Sequence, residues 1–151
     1  MLEKYLTKDH IQLKLKATDW KEAIQLAAAP LVTSREIEVG YVSAMQDAVL
    51  DFGPYMVLAK GFALSHAKPS DQVHTVCISL ITLDPPVCFG NKDFDPVDIL
   101  ITFGTPDAES HIDMLRELAG LLNKPESFTL IRNAKTEHEV ILLFSTSQMH
   151  A

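Results

Sequence analysis

No apolar run in this 151-residue chain approaches the roughly 18 residues that would cross a bilayer, because charge or proline interrupts each one. The opening Met1-Leu2-Glu3-Lys4-Tyr5-Leu6 holds no h-region and no cleavage site, so neither membrane insertion nor export is expected. Basic residues are few: 13 lysines and arginines against 20 aspartates and glutamates leave a formal net charge of −7. They cluster on no segment, which sets nucleic acid aside as a partner, since phosphate neutralisation supplies most of that affinity. An acidic surface is compatible instead with a basic protein partner. Neither Gly-x-x-x-x-Gly-Lys nor Gly-x-Gly-x-x-Gly occurs, which removes the usual nucleotide-dependent kinase reading. The only cysteines, Cys77 and Cys88, form no Cys-x-x-Cys and sit among apolar residues. They read as reduced, buried thiols of a cytoplasmic protein. No repeat, low-complexity tract or linker is present, so residues 1–151 read as a single domain.

What is present is a regular alternation of element types. Ile11-Gln12-Leu13-Lys14-Leu15 alternates apolar and polar as a half-buried strand does. Thr18-Asp19 then opens a helix, with Glu22 placed to complete a capping box. Trp20, Ala23, Ile24, Ala27, Ala28 and Leu31 recur at helical spacing, and Pro30 is expected to kink or end that helix. A second helix follows through Tyr41, Ala44, Met45, Ala48 and Phe52, closed by Gly53-Pro54. Residues 55–59 and 62–64 read as short strands around Lys60-Gly61, and residues 75–81 as a central strand. Asp84-Pro85-Pro86 reads as a turn, residues 87–89 as a short edge segment and residues 97–103 as another strand. Thr105-Pro106 starts the clearest helix, with Ile112, Leu115, Leu118, Ala119 and Leu122 as its buried stripe and Asn123-Lys124-Pro125 as its end. Two short C-terminal helices complete an α/β layered sandwich.

The chemistry rests with histidine. His10 and His150 read as solvated, His138 as a surface residue and His74 as the start of a strand. None of the six histidines makes a zinc pattern, so no metal and no cofactor is expected. His66 ends a strand, which is rigid and can aim an imidazole. His111 lies in the first turn of a helix, on one side of its apolar stripe. Two histidines converging beside a helix N-terminus suit a phosphoryl group, with one accepting it and the other bonding its oxygens. Each histidine taken alone is equally compatible with a hydrogen-bonded structural role.

Gly61-Phe62-Ala63-Leu64-Ser65-His66-Ala67-Lys68-Pro69 resembles the phosphorylation-site motif of mannitol/fructose-type enzyme IIA components of the phosphoenolpyruvate-dependent sugar phosphotransferase system, usually Gly-Ile-Ala-(Ile/Leu/Val)-Pro-His-(Ala/Gly). Asp19-Trp20-Lys21-Glu22-Ala23-Ile24 resembles that family's first helix, and residues 107–122 resemble its second-histidine helix. Gly53-Pro54-Tyr55-Met56-Val57 and Val87-Cys88-Phe89-Gly90-Asn91 are similar to the ascorbate-type (SgaA-like) branch. The resemblance implies a three-layer α/β sandwich, with a mixed sheet of about five strands and helices on both sides. It implies that His66 takes phosphate from the phosphocarrier HPr as a tele-phosphohistidine. The group would pass to a cysteine of an enzyme IIB, serving a membrane-bound IIC, for uptake of L-ascorbate or a related sugar acid or pentitol. His111 would stabilise the phosphate.

Two departures stand out. Ser65 replaces the usual proline and adds a hydroxyl that can reach phosphate, and Met45-Gln46-Asp47 occupies the region of an arginine found in mannitol/fructose types. Lys68 is a candidate cation beside the phosphate. Two other readings remain: a regulatory module whose phosphorylation controls binding to another protein, and a metal-binding protein.

Overall fold

The computed structural model describes residues 2–149; the Leu122 side chain and His150 lie outside the described residues. In chain order the elements are α1 (Leu2–Tyr5), a 3-10 turn (Lys8–His10), β1 (Ile11–Leu15), α2 (Trp20–Thr33) and α3 (Val39–Phe52). Then come β2 (Val57–Ala59), β3 (Phe62–Ser65), β4 (Cys77–Val87), β5 (Val97–Gly104), α4 (Ala108–Leu122), α5 (Pro125–Asn133) and α6 (Glu137–Met149). The strands make one five-stranded sheet in the order β1-β4-β5-β3-β2. β1 runs parallel to β4 and β3 parallel to β5, while β4/β5 and β2/β3 are antiparallel. The expected mixed sheet and both C-terminal helices are present.

Strand alternation decides which helices cover which face. Ala63, Ile81 and Leu100 face α2 and α3, meeting Ile24, Leu31, Tyr41 and Met45. Phe62, Leu64, Ile101 and Phe103 face the other way, onto Met114, Leu118, Phe128 and Phe144 of α4–α6. The result is the three-layer sandwich, helices on both sides of the sheet.

Asp19 caps α2 by accepting the Glu22 N–H at 2.9 Å, while the Glu22 carboxylate accepts the Thr18 N–H at 2.8 Å. That is the anticipated box, with its return bond one residue upstream. Pro30 does not end the helix, which continues to Thr33. A proline there leaves the Leu26 carbonyl without its helical partner, and the Gln12 side-chain amide donates to that carbonyl at 3.2 Å. β1 thus repairs the break that would otherwise terminate α2.

Several expectations are corrected. β4 runs through Asp84-Pro85-Pro86 instead of turning there, and Val87 still pairs with Val97. Prolines are tolerated because those three residues are exposed beyond the central ladder. α4 begins at Ala108, with the Asp107 carboxylate accepting the Ser110 N–H at 2.8 Å, so Pro106 precedes the cap. Its buried side is Met114 and Leu118; Ile112 is 54% exposed and Ala119 is also exposed. In α3 the buried side is Tyr41, Met45 and Val49, leaving Ala44 and Phe52 exposed. Cys77 is buried, but Cys88 is exposed. His10 is buried, not solvated, with Nδ1–H donating to the Tyr5 carbonyl at 3.2 Å and Nε2 lying 3.0 Å from Glu36.

Gly61 turns the chain from β2 into β3 at φ 77°, in the left-handed region. A Cβ there would lie 2.7 Å from Arg132 Nη2 and 2.9 Å from Asp98 Oδ1, two side chains already bonded to each other. Gly61→Ala is expected to lower the unfolding free energy by about 1–3 kcal/mol, read from urea denaturation midpoints. A midpoint equal to wild type would contradict this account.

Candidate functional site

The parallel pairing of β3 with β5 sets Ser65 opposite Thr102, so the next residues on both strands, His66 and Phe103, emerge side by side. Strand alternation places His66 on the same face as Phe62 and Leu64. There its imidazole lies flat against the Phe103 ring, centroids 4.9 Å apart and planes within 14°. A carbonyl oxygen can only accept, so the 3.4 Å contact between His66 Nδ1 and the Leu64 carbonyl requires Nδ1 to carry the proton. Nε2 then holds the free lone pair. Tautomer and ring orientation are fixed by the chain's own backbone, two residues upstream.

β5 leads directly into α4, and His111 in the first turn of that helix comes back toward the strand ends. Its ring centroid is 5.5 Å from that of His66 and also 5.5 Å from Phe103, so the three rings form one cluster. Buried Thr105 holds it: the hydroxyl is 3.3 Å from His111 Nδ1, which leaves Nε2 as the ring nitrogen free for another partner. The two candidate histidines are therefore brought together.

Burial lowers the pKa of His66 below the ordinary 6.5 by disfavouring the cation. The Leu64 carbonyl opposes that shift, and neighbouring His111 adds slightly to it. Burial likewise lowers His111. Both imidazoles are consequently neutral near pH 7, the form with a nucleophilic lone pair. At the start of α4 the Asp107 carboxyl is pulled below its usual value by the Ser110 N–H and hydroxyl. The helix N-terminus expected to receive an anion thus already has a carboxylate at its cap.

His66 and His111 open onto a cleft of about 520 Å³ whose walls include Ala48, Phe52 and Tyr55 on one side and Lys68 and Pro69 on the other. Lys68 is exposed and reaches this cleft, as do two carboxylates, Asp47 and Asp51 of α3. Ser65 does not reach it. Its hydroxyl is fully buried on the α3 face and donates to Met45 Sδ at 3.3 Å, because adjacent strand residues point to opposite faces. Sequence reasoning missed Phe103, Thr105 and the Leu64 carbonyl. Leu64 carried a usable signal, since the residue two before a strand-end histidine shares its face. No group of His, Cys, Asp or Glu side chains suited to a metal occurs among the described residues.

Residues 4–147 match the family model for the phosphoenolpyruvate-dependent sugar phosphotransferase system, EIIA 2. The ascorbate-specific PTS system EIIA component of Escherichia coli (strain K12) is 37% identical over 142 residues, covering 93% of this chain and 92% of that protein. The solution structure of the mannitol-specific cryptic phosphotransferase enzyme IIA CmtB from Escherichia coli superposes with a TM-score of 0.87 at 31% identity, covering 96% of this chain and 98% of that one. The fold also matches enzyme IIA mannitol from Escherichia coli, solved in complex with phosphorylated enzyme IIB mannitol (TM-score 0.80, 22% identity, 93% and 96% covered). The chain belongs to the type-2 EIIA family and is a phosphotransferase component that works through a phosphohistidine.

The burial of His66 makes a direct prediction. In an NMR titration its ring should lose its proton below pH 6.5, because the buried cation is the disfavoured form. The unfolded chain then binds that proton first as pH falls, so this site's share of stability should be complete above 6.5 and be lost between 6.5 and the lower folded value. A midpoint at or above 6.5 would refute burial as the dominant influence.

Proposed function

We propose that this type-2 EIIA chain, acting as one domain over residues 1–151, takes a phosphoryl group on Nε2 of His66 and passes it to a cysteine of an enzyme IIB. The observation that carries the assignment is the Leu64 carbonyl on Nδ1, which leaves Nε2 as the nucleophile beside an open cleft. Phospho-HPr is the donor in this reading, and the IIB in turn serves a membrane-bound IIC. Similarity to the ascorbate-specific relative supports L-ascorbate, or a related sugar acid or pentitol, as the transported solute. No helix among the described residues is long and apolar enough to cross a membrane, which supports a cytoplasmic site of action.

The chemistry follows from the two rings. The Nε2 lone pair of neutral His66 attacks phosphorus in line and becomes the new N–P bond. The donor's N–P bond breaks, and its nitrogen keeps the electron pair. His66 becomes formally cationic at that moment. The Leu64 carbonyl, already accepting from Nδ1–H, stabilises that charge. His111, anchored through Nδ1 by Thr105, turns its other nitrogen to an equatorial phosphoryl oxygen, and Lys68 adds positive charge from the cleft wall. The onward step reverses this, with the IIB thiolate attacking and Nε2 recovering its lone pair.

Asp47 and Asp51 bear on the partner. Carboxylates in a phosphate-receiving cleft favour a donor protein that brings its own cationic side chains, as a basic phosphocarrier would. Their repulsion of the bound phosphoryl group also favours its departure to the next carrier.

Incubation with phospho-HPr should label the wild type and leave His66→Ala unlabelled. His111→Ala should remain folded and accept phosphate about 10²-fold more slowly, the usual cost of one lost transition-state donor. Equal labelling of His66→Ala, or an unchanged rate in folded His111→Ala, would remove the respective role. Addition of an ascorbate-type IIB should then clear the label; phosphate that stays on His66 would favour the regulatory-module reading instead.

A further inference from the structure

Tyr41 lies on the opposite face of the sheet from the two imidazoles, 1% exposed, in the first turn of α3. Its hydroxyl accepts the Ala67 N–H at 3.0 Å and lies 3.1 Å from both the Ala67 and the Phe103 carbonyls. A phenol has one proton and two lone pairs, so this oxygen accepts the amide and shares its proton between the two carbonyls. The placement of those three atoms matters. Ala67 directly follows His66, and Phe103 supplies the ring on which His66 stacks.

The registered pairing of β3 with β5 stops at Ser65 opposite Thr102. His66 and Ala67 are therefore past the last paired residues of the two strands, where nothing in the strand pairing holds them to β5. Tyr41 provides the missing rung from the side. One turn along α3, Met45 Sδ takes the Ser65 hydroxyl, so α3 grips the residue before His66 as well as the residue after it. From these contacts we infer that Tyr41 is a positioning residue for phosphoryl transfer, holding the backbone on both sides of the His66–Phe103 stack and with it the aim of Nε2.

Burial raises the phenol's pKa to about 12, so the hydroxyl keeps its proton over any working pH range. Without the hydroxyl, the half-buried Ala67 amide and the Phe103 carbonyl lose their common partner, and the segment carrying His66 is free to pivot about the end of β3. The contact at 3.4 Å between Nδ1 and the Leu64 carbonyl is already long, so a small pivot breaks it and releases the tautomer. The inference rests on His66 being the acceptor, as proposed above.

Tyr41→Phe keeps the ring and removes only the bridging oxygen. The expected result is about tenfold slower phosphate acceptance at saturating phospho-HPr, with the half-saturating donor concentration unchanged, because aim and not docking is lost. Nitrogen-15 NMR of His66 should show one tautomer in wild type, protonated on Nδ1, and a mixture of both in the variant. A merely structural tyrosine would lower the melting temperature and leave tautomer and rate alone, and that outcome overturns the proposal. Amide exchange in the wild type gives a second readout that no folding failure of the variant can spoil. The Ala67 amide should be as protected as that of Ile101 within β5, and rapid exchange there would count against the rung. The tautomer and exchange measurements use no phosphodonor. They judge Tyr41 separately from the labelling of His66, whose failure would instead sink the functional reading.

Discussion

The parallel alignment of β3 with β5 is the constraint on which the site depends. Parallel neighbours end at the same edge of a sheet, so whatever follows each strand arrives together. Here that brings His66 alongside Phe103, and two residues later the chain enters the turn carrying Thr105 and then His111. A shift of one residue in this register would send His66 to the α2/α3 face and Ser65 to the α4 face. The packing forbids it, because Phe62, Leu64, Ile101 and Phe103 are all buried against α4–α6, while Ala63 fits beneath α2 and α3. The apolar core therefore specifies which way His66 points, and the pairing of the two imidazoles is a by-product of burying four large side chains.

Electrostatics then set what the imidazoles can do. Both rings are pushed toward the neutral form by loss of water, and one of them has its proton assigned by a backbone carbonyl. Neither needs a buried carboxylate partner of the kind that orients many catalytic histidines. A carbonyl holds the ring without adding a negative charge that would repel an incoming phosphoryl group. The carboxylates are instead at the cleft wall, on α3, where solvent screens them until a partner docks.

Much of this arrangement can be read from residue order. The strand-end position of His66, the first-turn position of His111 and the face each presents follow from periods of 2 and 3.6. What stays hidden depends on contacts distant in sequence. Ser65 looks available to phosphate until Met45, 20 residues earlier, takes its hydroxyl. Thr105 and Tyr41 carry no local mark of their hydrogen bonds to the site. Asp84-Pro85-Pro86 has turn chemistry, but pairing of Val87 with Val97 carries the strand past it. In α4 the apolar stripe is offset from the expected one: Met114 is inside and Ile112 outside, since four apolar residues near one another on a helix do not alone say which edge of the stripe meets the sheet.

The sheet's two outer strands are short, five residues in β1 and three in β2, whereas the inner β4 has eleven. An unpaired strand margin is a template on which another chain can zip, and its length limits how strongly. β2 offers only one turn's worth of such template, and the exposed ammonium side chain of Lys14 interrupts β1. A phosphotransferase component that works by meeting other proteins gains from this, because its sheet margins give self-association and fibril growth little to hold.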